Sequence, residues 1–221
     1  LNSEPPREPT VILISGRGGN MRALIERSRE PAACYSVVKV FSDVADAAGL
    51  SVARSFGVPA QALPPAGDAD RVAYGAALAA AIRGCSPSLI VLAGFMRILS
   101  EQFVNDFAGR ILNIHPSLLP KFPGLHTHRR ALLARETEHG ATVHFVTPQL
   151  DSGPRVIQGR VAVAPGDDET SLAARVQSVE HRIYPLAVSW FCEGRLRYDA
   201  GQAWLDGRLL EEPVQFTGAD P

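Results

Sequence analysis

The sequence predicts an α/β fold: a single-domain, open, mostly parallel twisted sheet with helices on both faces and a small C-terminal antiparallel extension. Three observations carry this expectation. From residue 10 onward, short apolar runs alternate with blocks whose apolar residues recur at helical spacing, the pattern of repeated right-handed βαβ crossovers. The run Leu89-Ile90-Val91-Leu92-Ala93 has no polar face, as a central strand covered on both sides requires. A glycine-rich segment, Gly16-Arg17-Gly18-Gly19-Asn20, sits between the first apolar run and the first helical block.

In order, Val11 to Ile14 is the first strand, and Met21, Leu24, Ile25 and Ser28 step along one helical face. Val37 to Phe41 reads as a strand, Ala47 to Phe56 as a helix and Val58 to Leu63 as a short third strand. Ala69 to Arg83 is helical by composition and ends near Gly84. After the 89–93 strand, Ser100 caps a helix through Phe107, and Ile111 to His115 is a strand leading into a proline-rich segment, 116–123. Leu119–Pro120 is the X-Pro bond expected to be cis. A short helix over Arg129 to Arg135 precedes two strands, Ala141 to Val146 and Val156 to Val163. A long helix begins after Thr170, with apolar steps at Leu172, Val176, Val179, Ile183, Leu186 and Trp190 and an expected kink at Pro185. Short strands near 196–198 and 203–205 close the chain.

No linker or repeat divides the sequence, so the reading is one domain over 10–210. Residues 1–9 are expected to be a disordered or trimmed segment, and 211–221 a loose tail. The 221 residues are 46% apolar and 20% charged, a composition that excludes wholesale disorder. A net charge of −1 argues against nucleic acid or a membrane surface as partner. The longest apolar stretch, 89–96, is too short to span a bilayer. Three widely separated cysteines, Cys34, Cys85 and Cys192, suggest neither a disulfide framework nor a zinc site, and point to the cytoplasm.

Three segments carry chemistry. Glycines between a strand and a helix let the backbone approach an anion at the helix N-terminus, or simply make a tight turn. Met21 stands where a dinucleotide fingerprint needs a glycine, so a phosphate monoester is the better ligand. Asn113 and His115, at i and i+2 on one strand, project from the same side at the carboxyl end of the sheet. Pro116 keeps His115 extended. An amide that donates to an oxyanion and an imidazole that moves protons then share one small volume, although each residue is also an ordinary hydrogen-bonded strand end. Asp151, in Leu150-Asp151-Ser152-Gly153-Pro154, is a turn residue that would favour an imidazolium if its loop folds back beside His115.

The segments GRGGN, VLAGFMRIL, ILNIHPSLLPKFPGLHTHRRAL, EHGATVHFV, LDSGP and VQSVEHRIYP, in this order, closely resemble the phosphoribosylglycinamide formyltransferase family over about 11–209. The resemblance implies transfer of the formyl group of 10-formyltetrahydrofolate, a co-substrate, to the amine of glycinamide ribonucleotide in purine biosynthesis, with no metal. By position it implies a catalytic trio of Asn113, His115 and Asp151. It implies contact with glycinamide ribonucleotide by Gly18, Gly19, Asn20, Gln177 and Glu180. For the folate it implies Met96, Arg97, Ile98 and Leu99, with Asn113, then Thr147, Pro148, Gln149, Leu150 and Asp151, and a further contact from Arg71. Many members carry Ser or Thr where this chain has Gly19, so a hydroxyl contact to phosphate is missing. A monomer or homodimer acting on small molecules is expected.

The competing readings are 10-formyltetrahydrofolate hydrolase, methionyl-tRNA formyltransferase and a non-catalytic phosphometabolite-binding module. The first two normally carry an additional domain. His126 and His128 read as loop-structural, His144 as a core histidine behind His115, and His139 and His181 as peripheral.

Overall fold

In the computed structural model, whose described residues are 7–67 and 70–216, eight strands form one sheet. In chain order these are β1 (Glu8–Ile14), β2 (Tyr35–Ser42), β3 (Ala60–Ala62), β4 (Leu89–Leu92), β5 (Ile111–His115), β6 (Glu138–Phe145), β7 (Arg155–Ala162) and, after three further strands, β11 (Val214–Phe216). Those three, β8 (Leu196–Asp199), β9 (Gln202–Leu205) and β10 (Arg208–Leu209), make a separate antiparallel sheet. The helices are α1 (Gly19–Arg27), α2 (Ala48–Ser55), α3 (Arg71–Arg83), α4 (Glu101–Asp106), α5 (Thr127–Leu133) and α6 (Glu169–Cys192).

The large sheet runs β11-β7-β6-β5-β4-β1-β2-β3. The β1 to β5 half is parallel, β6 runs antiparallel to both neighbours, and β11 lies parallel to β7. From β1 the chain winds outward to β2 and β3, then returns to add β4 and β5 on the other side. Ligands of open α/β sheets bind where this reversal falls, beyond the carboxyl ends of β1 and β4.

Alternation along the strands divides the core between two faces. Ile12, Ile14, Leu89, Val91, Leu112 and Ile114 face α1, α2 and α6, while Val11, Leu13, Ile90, Leu92 and Ile111 face α3 and α4. The buried stripe Leu172, Val176, Ile183 and Trp190 lies on α6, which continues through Pro185 without leaving the helix. Asp168 caps that helix by accepting the Ser171 N–H at 2.7 Å, and Ser171 Oγ in turn meets the Asp168 N–H.

Both chain ends depart from expectation. Glu8 and Pro9 belong to β1, because this strand pairs with β2 from Glu8 onward and the Glu8 N–H reaches the Cys34 carbonyl at 2.8 Å. Val214–Phe216 is not loose but extends the sheet, since the open edge of β7 offers unpaired backbone groups and the Arg182 guanidinium lies over the Phe216 ring at 4.6 Å. The rest of the expected terminal segments, 1–6 and 217–221, lies outside the described residues, as does Ala69 at the expected start of α3. There Asp70 is the cap, accepting the Ala73 N–H at 2.7 Å. Helix α5 starts two residues earlier than its apolar pattern suggests, after His126 in the left-handed region at φ 58°. Leu119–Pro120 is cis.

Candidate active site

Leu112 and Ile114 of β5 enter the core on the α6 side, so Asn113 and His115 emerge together on the opposite face at the strand's end. Across the antiparallel pairing Asn113 lies opposite His144 and His115 opposite Thr142. The Asp151 loop returns to the same place, bringing its carboxylate Oδ2 to 3.5 Å from His115 Nδ1 and Oδ1 to 3.8 Å from His144 Nε2. All three side chains are under one-tenth exposed.

Hydrogen bonds fix the protonation pattern. His144 Nδ1 lies 2.9 Å from the Phe145 carbonyl, which can only accept, so Nδ1 carries the proton. Nε2 then accepts from the Asn113 amide at 3.1 Å, leaving the second Asn113 N–H free to turn to a ligand. Burial depresses the His144 pKa to about 4, against the opposing pull of the Phe145 carbonyl and Asp151, so this imidazole is neutral. His115 Nε2 meets the Phe122 carbonyl at 2.9 Å and therefore donates to it. Its Nδ1 faces Asp151, and a proton there makes the 3.5 Å approach an ion pair.

The loop carrying Phe122 is pinned from below. Thr142 Oγ1 donates to the Ser117 carbonyl at 2.7 Å and accepts from the Leu119 N–H at 3.1 Å. Gln158 and Arg155 donate to the Leu119 carbonyl at 2.7 and 2.9 Å. The Gly124 N–H donates to Asp151 Oδ2 at 2.8 Å, joining this loop to the aspartate. Phe122, His126 and Asp151 all occupy the left-handed region, a concentration of backbone strain around one site. Beyond the loop, His128 and His139 share a contact of 3.2 Å, and burial lowers the pKa of both, that of His139 to about 4.

These residues open on a cleft of about 430 Å³. Met96, Arg97, Ile98, Leu99, Thr147, Pro148, Gln149 and Leu150 all line it, with Asn113, His115, His144 and Asp151 at its inner end. Met96, Ile98, Leu125 and Leu150 are half or more exposed and give the cleft an apolar rim. Arg71, at the start of α3, is not among the lining residues.

A second cluster forms where α1 meets α6. Gly18 takes φ 78°, which only glycine adopts freely, and turns the chain into α1. Asn20 Nδ2 donates to Glu180 Oε2 at 2.8 Å, while Asn20 Oδ1 is buried with no partner among the described residues. Burial pushes the Glu180 carboxyl up, partly offset by Asn20. A Cβ at Gly19 would stand 2.8 Å from Gln177 Nε2 and 3.3 Å from His181 Nε2, so both side chains close on the glycine loop. The five residues implied for glycinamide ribonucleotide thus lie together.

Ser15, which follows β1, ties the 94–99 segment to the end of β2. Its Oγ donates to Asp43 Oδ1 at 2.6 Å and accepts the Met96 N–H at 2.8 Å, and Arg97 reaches Asp43 at 3.4 Å. Sequence reasoning missed Ser15, Thr142, Gly153 and the role of His144. The available signal was the i, i+2 pair Thr142 and His144, polar positions alternating with Ala141, Val143 and Phe145.

A glycine loop at the start of α1 and a buried Asn–His–Asp constellation suit a group-transfer enzyme, and the formyl transferase family matches residues 9–188. The phosphoribosylglycinamide formyltransferase of Escherichia coli (strain K12) is 50% identical over 210 residues, covering 95% of this chain and 98% of that protein. The Haemophilus influenzae enzyme of the same name is 41% identical over 200 residues, covering 90% and 94%. The structure of the Coxiella burnetii phosphoribosylglycinamide formyltransferase in complex with CHES superposes with a TM-score of 0.91 at 44% identity, covering 96% of this chain and all of that one. The chain belongs to the phosphoribosylglycinamide formyltransferase family, and is a transferase.

Proposed function

We propose that the two clusters bind two small substrates side by side, and that the chain passes a formyl group from 10-formyltetrahydrofolate to the amine of glycinamide ribonucleotide. The observation that carries the reading is the convergence of Asn113, His115, His144 and Asp151, from β5, β6 and the following loop, at the inner end of an apolar-rimmed cleft.

The residues present fit a folate. A flat heterocycle finds apolar surface on Met96, Ile98, Leu99, Val146 and Pro148, and polar backbone along 147–151 for its ring edge. Bound there, the co-substrate supplies the formyl carbon. Gly18, Gly19 and Asn20 offer backbone N–H groups at the α1 N-terminus to the phosphate of glycinamide ribonucleotide. Gln177 and Glu180 contact the same substrate, and the unpartnered Asn20 Oδ1 accepts one of its N–H or O–H groups.

Asn113 donates to the oxygen on which charge develops as the amine adds, and protonated His115 joins it when its Nε2–H leaves the Phe122 carbonyl for that oxygen. His144 holds the Asn113 amide in its donating orientation. Asp151 steadies the His115 imidazolium and its loop. The attacking nitrogen gives up its proton, through water near His115, to N10 of the folate, whose bond to the formyl carbon breaks as the carbonyl re-forms. Asn113→Ala should lower turnover on the order of 10²–10³, the loss measured for one oxyanion donor elsewhere. Formyl transfer by the purified protein, followed by absorbance and product mass, tests the proposal. Release of formate at the same rate with and without glycinamide ribonucleotide would instead identify a hydrolase.

A further inference from the structure

Cys34 and Cys192 are distant in sequence and adjacent in space. Cys34 immediately precedes β2, Cys192 ends α6, and their thiols are hydrogen-bonded to each other. Cys34 Sγ also reaches the carbonyl of Ser189, one turn back along α6, at 3.5 Å. The Thr10 side chain bonds Cys192, and the Cys34 carbonyl is held by the Glu8 N–H at 2.8 Å. Both residues pack against one apolar cluster while remaining partly exposed.

We propose that Cys34 and Cys192 form a redox modification site, at which a peroxide joins the two thiols in a reversible disulfide. Cys34 is the attacking sulfur. The hydrogen bond from Cys192 brings its pKa from 9.0 down to about 7, with burial and Glu193 opposing, whereas Cys192 is pushed well up by that bond and by burial. The Cys34 thiolate displaces one oxygen of hydrogen peroxide, forming an S–O bond as O–O breaks, and the departing hydroxide takes a proton to leave as water. Cys192 then attacks the Cys34 sulfenic sulfur. The S–S bond forms, S–O breaks, and the Cys192 proton leaves with the hydroxyl as a second water. Two thiols are oxidised by two electrons and one peroxide is reduced. The third cysteine, Cys85, contacts the Ala81 carbonyl at 3.7 Å instead of another thiol. The new bond ties the end of the helix bearing Gln177 and Glu180 to the segment that follows α1. It closes a long loop and so restricts the unfolded chain.

The test is treatment of the full chain with hydrogen peroxide at pH 7, followed by alkylation and mass spectrometry. The expected result is a fall from three free thiols to one, a mass loss of about 2 Da, a Cys34–Cys192 linked peptide and a raised Tm, all reversed by dithiothreitol. In the reduced protein, alkylation of Cys34 should titrate with a midpoint near 7. In Cys192→Ala that midpoint should rise, and Cys34 oxidation should stop at a sulfenic acid trapped by dimedone. Oxidation of the wild-type thiols without a 34–192 link overturns the proposal, as does an alkylation midpoint that Cys192→Ala leaves in place. The wild-type experiments hold whether or not a variant folds.

Discussion

Asp151→Asn isolates the carboxylate's charge from its shape. Residue 151 sits at φ 49°, a region that asparagine tolerates as well as aspartate does, so the turn is preserved. The amide oxygen can still accept the Gly124 N–H now received at 2.8 Å, so the 116–125 loop keeps its tie. What disappears is the attraction at 3.5 Å between a negative carboxylate and the His115 imidazolium that the proposed mechanism uses. At an effective dielectric of about 20 that attraction is about 5 kcal/mol, and both side chains are too buried for salt to screen it strongly. If about half of it is realised in the transition state, the loss is about 2–4 kcal/mol, or roughly 10²–10³ in turnover. Steady-state and single-turnover formyl transfer with both substrates saturating should show the loss in kcat, with Tm within a few degrees of wild type. A correctly folded variant with kcat within about threefold of wild type would remove the ion pair from the mechanism.

Three other outcomes follow from the geometry. Gly153→Ala places a Cβ 1.8 Å from the Phe145 carbonyl oxygen, the atom that also anchors His144, so the Asp151 turn must move; turnover should fall on the order of 10² without any lost ligand contact, with circular dichroism and Tm separating misplacement from unfolding. His144→Leu removes the acceptor that orients the Asn113 amide, and should cost roughly 10–10² in kcat with little change in KM for either substrate, as initial rates will report. The third concerns acid stability. His144 titrates near 4 when folded and near 6.5 when unfolded, so between those values the unfolded chain binds more protons and stability falls as pH falls. Its contribution is fully present above pH 6.5 and amounts to about 3 kcal/mol lost by pH 4, with His139 acting in the same direction. Urea unfolding across this range should show the slope, and His144→Asn should flatten it; an unchanged slope would mean that His144 is not held neutral.

Much of the sheet could be read from the sequence because its central strands are buried on both faces and show it as unbroken apolar runs. The reversed direction of β6 could not, since β5 and β6 are joined by a proline-rich loop and the short helix α5, whose path composition does not specify. The last strand escaped notice for a related reason. Val214–Phe216 is three residues among prolines and glutamates, and becomes a strand only because the edge of β7 is there to receive it. Within the site, the i, i+2 relation makes Asn113 and His115 neighbours on any strand. Nothing local brings Asp151 to them: that depends on a left-handed turn at 151 and on Gly153 packing against the Phe145 carbonyl. His144 was visible as a polar residue between Val143 and Phe145, but its use depends on the cross-strand register with Asn113. Arg71 is the one implied folate residue outside the cleft lining, although Arg97 lies over the Tyr74 ring in the first turn of the same helix.

The hydroxyl of Ser15 has a consequence for redesign. Together with the Arg97–Asp43 contact it holds the 94–99 segment to the end of β2, so the rim of the cleft takes its footing from two neighbouring strand ends. A graft that imports a relative's 94–99 segment to change folate preference must bring compatible residues at 15 and 43 with it. Without them the graft would arrive correctly folded in itself and hinged at the wrong angle to the amine it is meant to meet.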